Sequence, residues 1–328
     1  MASFLRRHPL DKDLLRSIFL PTLDEALKNM DANSLKLAHY TSFEVALSII
    51  EGEAVWMRDV AHMNDIGEVR YGIQAVDAFI SETSDRQLLV STIDGIHAGL
   101  GAQIVPLWQM MRANISTSVY ISCFSEHLPG KEDFGRLSMW RAYCCKPDGV
   151  ALVLNTEPFR LESNALNAYS SPVFYGTVGQ FHAKFREVLA NITANADMLR
   201  TLHPQMLLNY VIMAILFGAV CLKHPGFSEE KEWRIIHMSM MKMPTLLRRR
   251  EVNIRGKDET IFEIPLKDVP EQGLVGIEIN DLLHQIVIGP SNRTEEIRAA
   301  LIDALTTKGV ENPAYRIVAS EIPLRVDT

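Results

Sequence analysis

Five short clusters hold the residues best suited to chemistry: His39-Tyr40-Thr41-Ser42, Asn64-Asp65 with Glu68, Ser122-Cys123-Phe124-Ser125-Glu126, Met139-Trp140 with Tyr143, and Glu230-Lys231-Glu232-Trp233-Arg234. A histidine ring donates or accepts a hydrogen bond near neutral pH. A tyrosine such as Tyr40 or Tyr143 offers a ring on which a flat group can stack. A carboxylate beside a developing cation stabilises it electrostatically, and Glu232, nearer the apolar part of its segment than Glu230, is the better placed of the two. Asp65, Glu68, Glu230 and Glu232 would also supply the carboxylates of a two-metal nuclease site. Each residue has a plain structural role as well. His39 can be a hydrogen-bonder at a strand end, Asn64, Asp65 and Glu68 a helix cap, and Glu230 and Glu232 ion-pair partners of Arg234 or Arg141.

The elements that would position these clusters follow from periodicity. Residues 10–33 read as a helix, 35–40 alternate as a strand, and Thr41 with Glu44 forms a capping box for a helix ending at Gly52. Ala54–Arg58 is a second strand, Asp65 caps a helix through Ile80, and a further helix spans roughly 86–112. Ser118–Phe124, Val150–Leu154, Pro172–Gly176 and Glu232–His237 read as strands. So do Thr260–Leu266, Val275–Ile279, Gln285–Ile288 and Tyr315–Ser320, with a helix from Thr294 to about Lys308. The expected fold class is α+β. Residues 1–34 form a helical lead-in, and 35–328 a single domain around one mixed, mainly antiparallel sheet, with a helical insertion at about 178–222.

Bulk properties narrow the function classes. Hydrophobic residues at 47% and charged residues at 22% are ordinary for a globular chain, and a net charge of −7 argues against an open basic nucleic-acid platform. The run Arg248-Arg249-Arg250 with Arg255 and Lys257 is the one basic cluster, and it reads as a solvated loop with phosphate contact as the alternative. The cysteines Cys123, Cys144, Cys145 and Cys221 form no zinc-ligand spacing and suit a reducing, cytoplasmic setting; no metal is expected. Met206–Leu222 is nearly free of charge and only just long enough for a membrane span, so a buried core helix is expected, with no membrane association. Ser125 lacks a nucleophile elbow, and Gly289-Pro290-Ser291 reads as a strand-to-helix turn.

Taken in order, the five clusters resemble the bacterial domain-of-unknown-function family numbered twenty-nine seventy-one, over roughly residues 35–290. The opening from His39 to Gly52 is also distantly similar to ADP-ribosyltransferases, especially those acting on DNA in toxin–antitoxin pairs. That similarity implies a split sheet with NAD bound, and consumed as substrate, in its cleft. It implies Glu232 and Glu230 as the catalytic carboxylates, and His39, Tyr40, Thr41, Ser122, Ser125 and Tyr143 around NAD. A toxin or phage-defence effector acting on a nucleic-acid or protein target, with an antitoxin partner or a second copy of the chain, would fit.

Three readings stay open from sequence: an NAD-consuming transferase, a metal-dependent nuclease, and a non-enzymatic binding or sensing module. The transferase reading makes one geometric demand. His39, Tyr143 and Glu232 must surround one pocket, and a sheet that sends His39 and Glu232 to opposite faces removes its basis.

Overall fold

A computed structural model describes residues 12–62, 66–143, 148–161, 163–254 and 256–323. The strands are β1 (Lys36–Ser42), β2 (Ala54–Asp59), β3 (Val119–His127), β4 (Gly149–Leu154), β5 (Ala168–Pro172), β6 (Phe174–Tyr175), β7 (Leu222–Lys223), β8 (Glu232–Met238), β9 (Arg248–Ile254), β10 (Lys257–Pro265), β11 (Leu283–Ile288) and β12 (Ile317–Ala319). The helices are α1 (Lys12–Phe19), α2 (Pro21–Ala32), α3 (Phe43–Gly52), α4 (Ile66–Ser81), α5 (Thr83–Asp94), α6 (Ile104–Ser118), α7 (Leu137–Tyr143), α8 (Glu157–Arg160), α9 (Val178–Ala194), α10 (Ala196–Leu199), α11 (Pro204–Val220), α12 (Ile279–Leu282) and α13 (Thr294–Thr307).

The chain is α+β, and its main sheet is mostly antiparallel, in the order β12-β11-β4-β1-β3-β2-β10-β9, with β8 and β5 branching from β3. Only β11–β12 in that sheet runs parallel. The branch arises because β3 serves β8 along one edge, from Val119 to Ser125, and shares its other edge between two strands. β1 pairs with Ser125–His127, and β2 with Tyr120 and Ile121. At Ser122–Phe124 the register assigns no partner strand on that side, so the sheet forks there.

Strand alternation sorts side chains onto two faces. Ala38, Ser125 and Glu232 stand in one row across β1, β3 and β8, so they share a face, called here the Glu232 face. Ile121, Ile236 and Met238 share it and pack beneath α4, α5, α6, α9 and α11. The other face carries His39, Phe124, Leu152 and Trp233, and lies under Met30 of α2, Ile49 and Ile50 of α3, and Leu301 and Leu305 of α13. α7 seals one end of the Glu232 face with Met139 and Trp140, against Ala38, Tyr40, Ala151 and Val153.

α11 is buried on all sides, from Leu207 and Leu208 through Ala219 and Val220. Among the described residues no helix is long and apolar enough to cross a membrane. The apolar run from Met206 is therefore the centre of the helical layer over the sheet, as its all-round hydrophobicity requires.

Several boundaries differ from the periodicity reading. The first helix is two, α1 and α2, because Pro21 lacks the N–H that would continue it. Likewise 86–112 divides into α5 and α6, with Gly99 in the left-handed region (φ +78°) between them. Ser42, not Thr41, caps α3 by accepting from the Val45 N–H, because Ser42 is the last residue of β1 and immediately precedes the helix. Arg293 rather than Thr294 precedes α13, and Thr294 donates its hydroxyl to the Ser291 carbonyl instead of capping. The arginine run is strand β9, paired with β10, not a loop. Val275–Ile279 is no strand: Gly276 has φ +73° and Ile279 opens α12. The Asp65 cap falls outside the described residues.

Candidate functional site

Glu232 opens β8 directly after Lys231, whose positive φ turns the chain out of a short 3-10 helix. Its carboxylate accepts from Arg234 Nε at 2.7 Å, Arg234 Nη2 at 3.0 Å and Lys223 Nζ at 3.2 Å. Arg234 lies two residues on, and hence on the same face. Lys223 arrives from β7 and also donates to Glu230 Oε2 at 2.5 Å. Arg234 reaches the Val220 carbonyl at the end of α11, and the Tyr175 hydroxyl accepts the Glu232 N–H at 2.7 Å. Glu232 is 7% exposed and Lys223 2%. Among the described residues, two carboxylates and two cations are thus gathered under the helical layer.

Burial by itself would raise the Glu232 pKa, but Arg234 and Lys223, with a hydrogen bond from the Cys123 thiol, outweigh it and hold the group at about 2. A carboxylate so firmly ionised and so fully hydrogen-bonded is a poor proton acceptor near neutral pH. It is well suited to fastening β8, β7 and the end of α11 together. Burial also pushes the Tyr175 hydroxyl strongly up, so it stays protonated.

Ser125 and Tyr40 lie on the same face and are held by a residue the sequence reading passed over. Arg136 donates to Ser125 Oγ at 2.7 Å, to the carbonyls of Glu126, Glu229 and Glu230, and to Glu132 at 2.5 Å. Its backbone N–H donates to the Tyr40 hydroxyl at 2.9 Å, and Ser125 Oγ donates to the Glu230 carbonyl at 2.6 Å. The Tyr40 ring packs edge-on against Trp140 at 4.8 Å. Ser125 and Tyr40 therefore fasten the loop that follows β3. Lys223 and Tyr175 were missed too. For Lys223 the signal was the first charge after seventeen helical residues without one, with Cys221 and Leu222 between.

His39 stands elsewhere. In β1 it alternates with Ala38 and so points away from the row of Ala38, Ser125 and Glu232. At the fork its Nδ1 lies 2.9 Å from the Cys123 carbonyl, which there has no strand assigned opposite it. Its ring sits 5.4 Å from Phe124, and burial lowers its pKa despite that hydrogen bond. The shared pocket expected of His39 and Glu232 is therefore not built, because the sheet separates them onto opposite faces. Tyr143 ends α7, its side chain outside the described residues, as are Asn64, Asp65, Cys144, Cys145 and the side chain of Glu68. Thr41 is half-buried in β1 opposite Val150.

Ser122 is 3% exposed and shares the His39 face; its hydroxyl has no hydrogen-bond partner among the described residues. An unsatisfied buried hydroxyl costs about 1–3 kcal/mol. Ser122→Ala is accordingly expected to leave stability unchanged or raise it by about 1 kcal/mol in urea unfolding. A clear loss would mean that this hydroxyl has a partner.

The largest cavity described, about 190 Å³, lies on the His39 face between the sheet, α2 and α8. Leu27, Phe124, Phe159, Tyr169 and Ile235 form much of its wall. Phe159 meets Phe124 edge-on at 5.3 Å, so His39 connects to this wall through Phe124. Its two serine hydroxyls are already engaged: Ser170 Oγ accepts from Trp233 Nε1 at 2.5 Å, and Ser163 Oγ donates to the Gln272 carbonyl at 2.9 Å. Arg16 and Arg160 also contribute to the lining. Among the described residues no group of three or more histidine, cysteine or acidic side chains is arranged to hold a metal.

Residues 139–235, from α7 into β8, match the model of the family described as Protein of unknown function (DUF2971), the family that the order of the clusters resembles. No curated protein and no solved structure matches the chain.

Proposed function

We propose that this chain is a small-molecule binding or sensing module whose ligand sits in the apolar cavity on the His39 face. The cavity carries this reading. An engineered apolar cavity of roughly 150 Å³ holds benzene, so about 190 Å³ suits an apolar body of about eight heavy atoms. Sites that enclose drug-sized ligands run to about 300–1,000 Å³, so a whole dinucleotide is too large for this one. Aromatic and aliphatic walls whose two serine hydroxyls are already paired favour an apolar body over a sugar.

The transferase reading is the weaker of the two on geometry. It needs a carboxylate able to face a ribose, and against it stand the three N–H donors on Glu232 and the position of His39 across the sheet.

Thermal unfolding with 1-octanol, beside a parallel assay of nicotinamide release from NAD, tests the proposal. A ligand that binds only the folded chain raises its melting temperature in a concentration-dependent way. A rise with 1-octanol is expected, and Ala168→Phe, which fills the cavity from β5, is expected to remove it. No rise in the unsubstituted protein would overturn the reading, and release of nicotinamide would return the function to the transferase.

A further inference from the structure

We infer that the ligand of this cavity is a small monocarboxylate with an apolar tail, its carboxylate seated on Arg160 in place of Asp31. The inference rests on the binding reading above and adds the chemical class. Two cations contribute to an otherwise apolar wall, and their partners differ. Arg16 is committed: Asp13 lies 2.8 Å and Asp24 3.0 Å from it, and Asp24 is buried and further held by Lys28 at 2.7 Å. Moving Asp24 off Arg16 would strand a buried carboxylate.

Arg160 is held loosely. Among the described residues its ion-pair partner is Asp31, at the far end of α2; the arginine side chain is 40% and the aspartate 56% exposed. Such a pair in water adds little stability, and Asp31 regains full hydration when released. Arg160 belongs to the cavity lining while its side chain is 40% exposed, so the residue runs from the cavity to solvent. A guanidinium takes a carboxylate in a two-pronged, charge-assisted fashion. A tail of about seven or eight carbons in the cavity leaves a terminal carboxylate where Arg160 reaches solvent. Asp31, on this view, marks the position of the ligand's head group and competes for it.

Calorimetric titration of the full chain at neutral pH with octanoate and with 1-octanol separates tail from head. Octanoate is expected to bind about twofold to fivefold more tightly than 1-octanol, the gain of one ion pair that reaches solvent. Arg160→Met should bring octanoate down to the level of 1-octanol, so that the two probes bind alike. Asp31→Asn, which removes the competing carboxylate, should tighten octanoate several-fold without moving 1-octanol. Both positions are substantially exposed, so both variants should fold. Equal affinities for the two probes, or an Arg160→Met variant that weakens both alike, would overturn the carboxylate assignment while leaving the cavity reading intact. Binding of neither probe would overturn both.

Discussion

Glu232→Gln is expected to destabilise the fold by about 3–5 kcal/mol, the cost of removing one member of a buried ion pair and leaving the other charges uncompensated. The substitution would remove the carboxylate charge that Lys223 and Arg234 share beneath the helical layer. Urea unfolding of the variant measures this directly. The pH dependence gives a second measure. The Glu232 carboxyl is held at about 2 in the folded chain, against its ordinary value of 4.5. A lowered folded-state pKa contributes stability that is fully present above 4.5 and is lost as pH falls from there toward about 2. A shift of that size corresponds to about 3 kcal/mol, of the same order as the substitution cost. Glu232→Gln should therefore flatten the acid limb of the stability curve. Lys223→Met combined with Glu232→Gln should cost less than the sum of the two single changes, because the two side chains are paired and the double variant removes both charges of that pair. A Glu232→Gln protein as stable as the parent would remove the structural assignment and reopen a functional one.

A comparable loss, about 3 kcal/mol or more, is expected from Gly72→Val, at a position with no polar atom to explain it. Gly72 lies on α4 where that helix crosses α11, and a Cβ there would stand 1.9 Å from the Ala219 carbonyl oxygen. The obstacle is backbone in the last turn of a buried helix, so no side chain can swing aside. The two helices must separate, and the core around Val76 and Val220 opens with them. Gly52→Ala is the matched control. Nothing lies within 4 Å of the Cβ it would add, and Gly52 is the last residue of α3, so a gain of about 0.5–1 kcal/mol is expected. Urea melts of the two variants should move in opposite directions, and a Gly72→Val protein near parental stability would show that α4 and α11 are not packed this closely.

The amino-acid pattern determined much of this molecule without help. Period-two alternation marked β1, β3 and β8, and an all-round apolar run marked α11 as a helix that needs cover on every side. The cluster order led to the family whose model matches residues 139–235. The bland role of Glu232 as a partner of Arg234 was also legible, since residues two apart on a strand share a face. Tertiary structure decided the rest. Periodicity within one strand fixes which residues share a side, but not which side of a neighbouring strand lies beside it; that depends on register. The pairing of Ala38 with Ser125 and of Ser125 with Glu232 sends His39 across the sheet. The pairing of Ser125 with Glu232, the reach of Arg136 to the Glu229 and Glu230 carbonyls, and a cavity walled by α2, α8 and the sheet all join segments far apart in the chain. Contacts of that range leave no local periodicity, because they are made by packing rather than by the repeat of the chain.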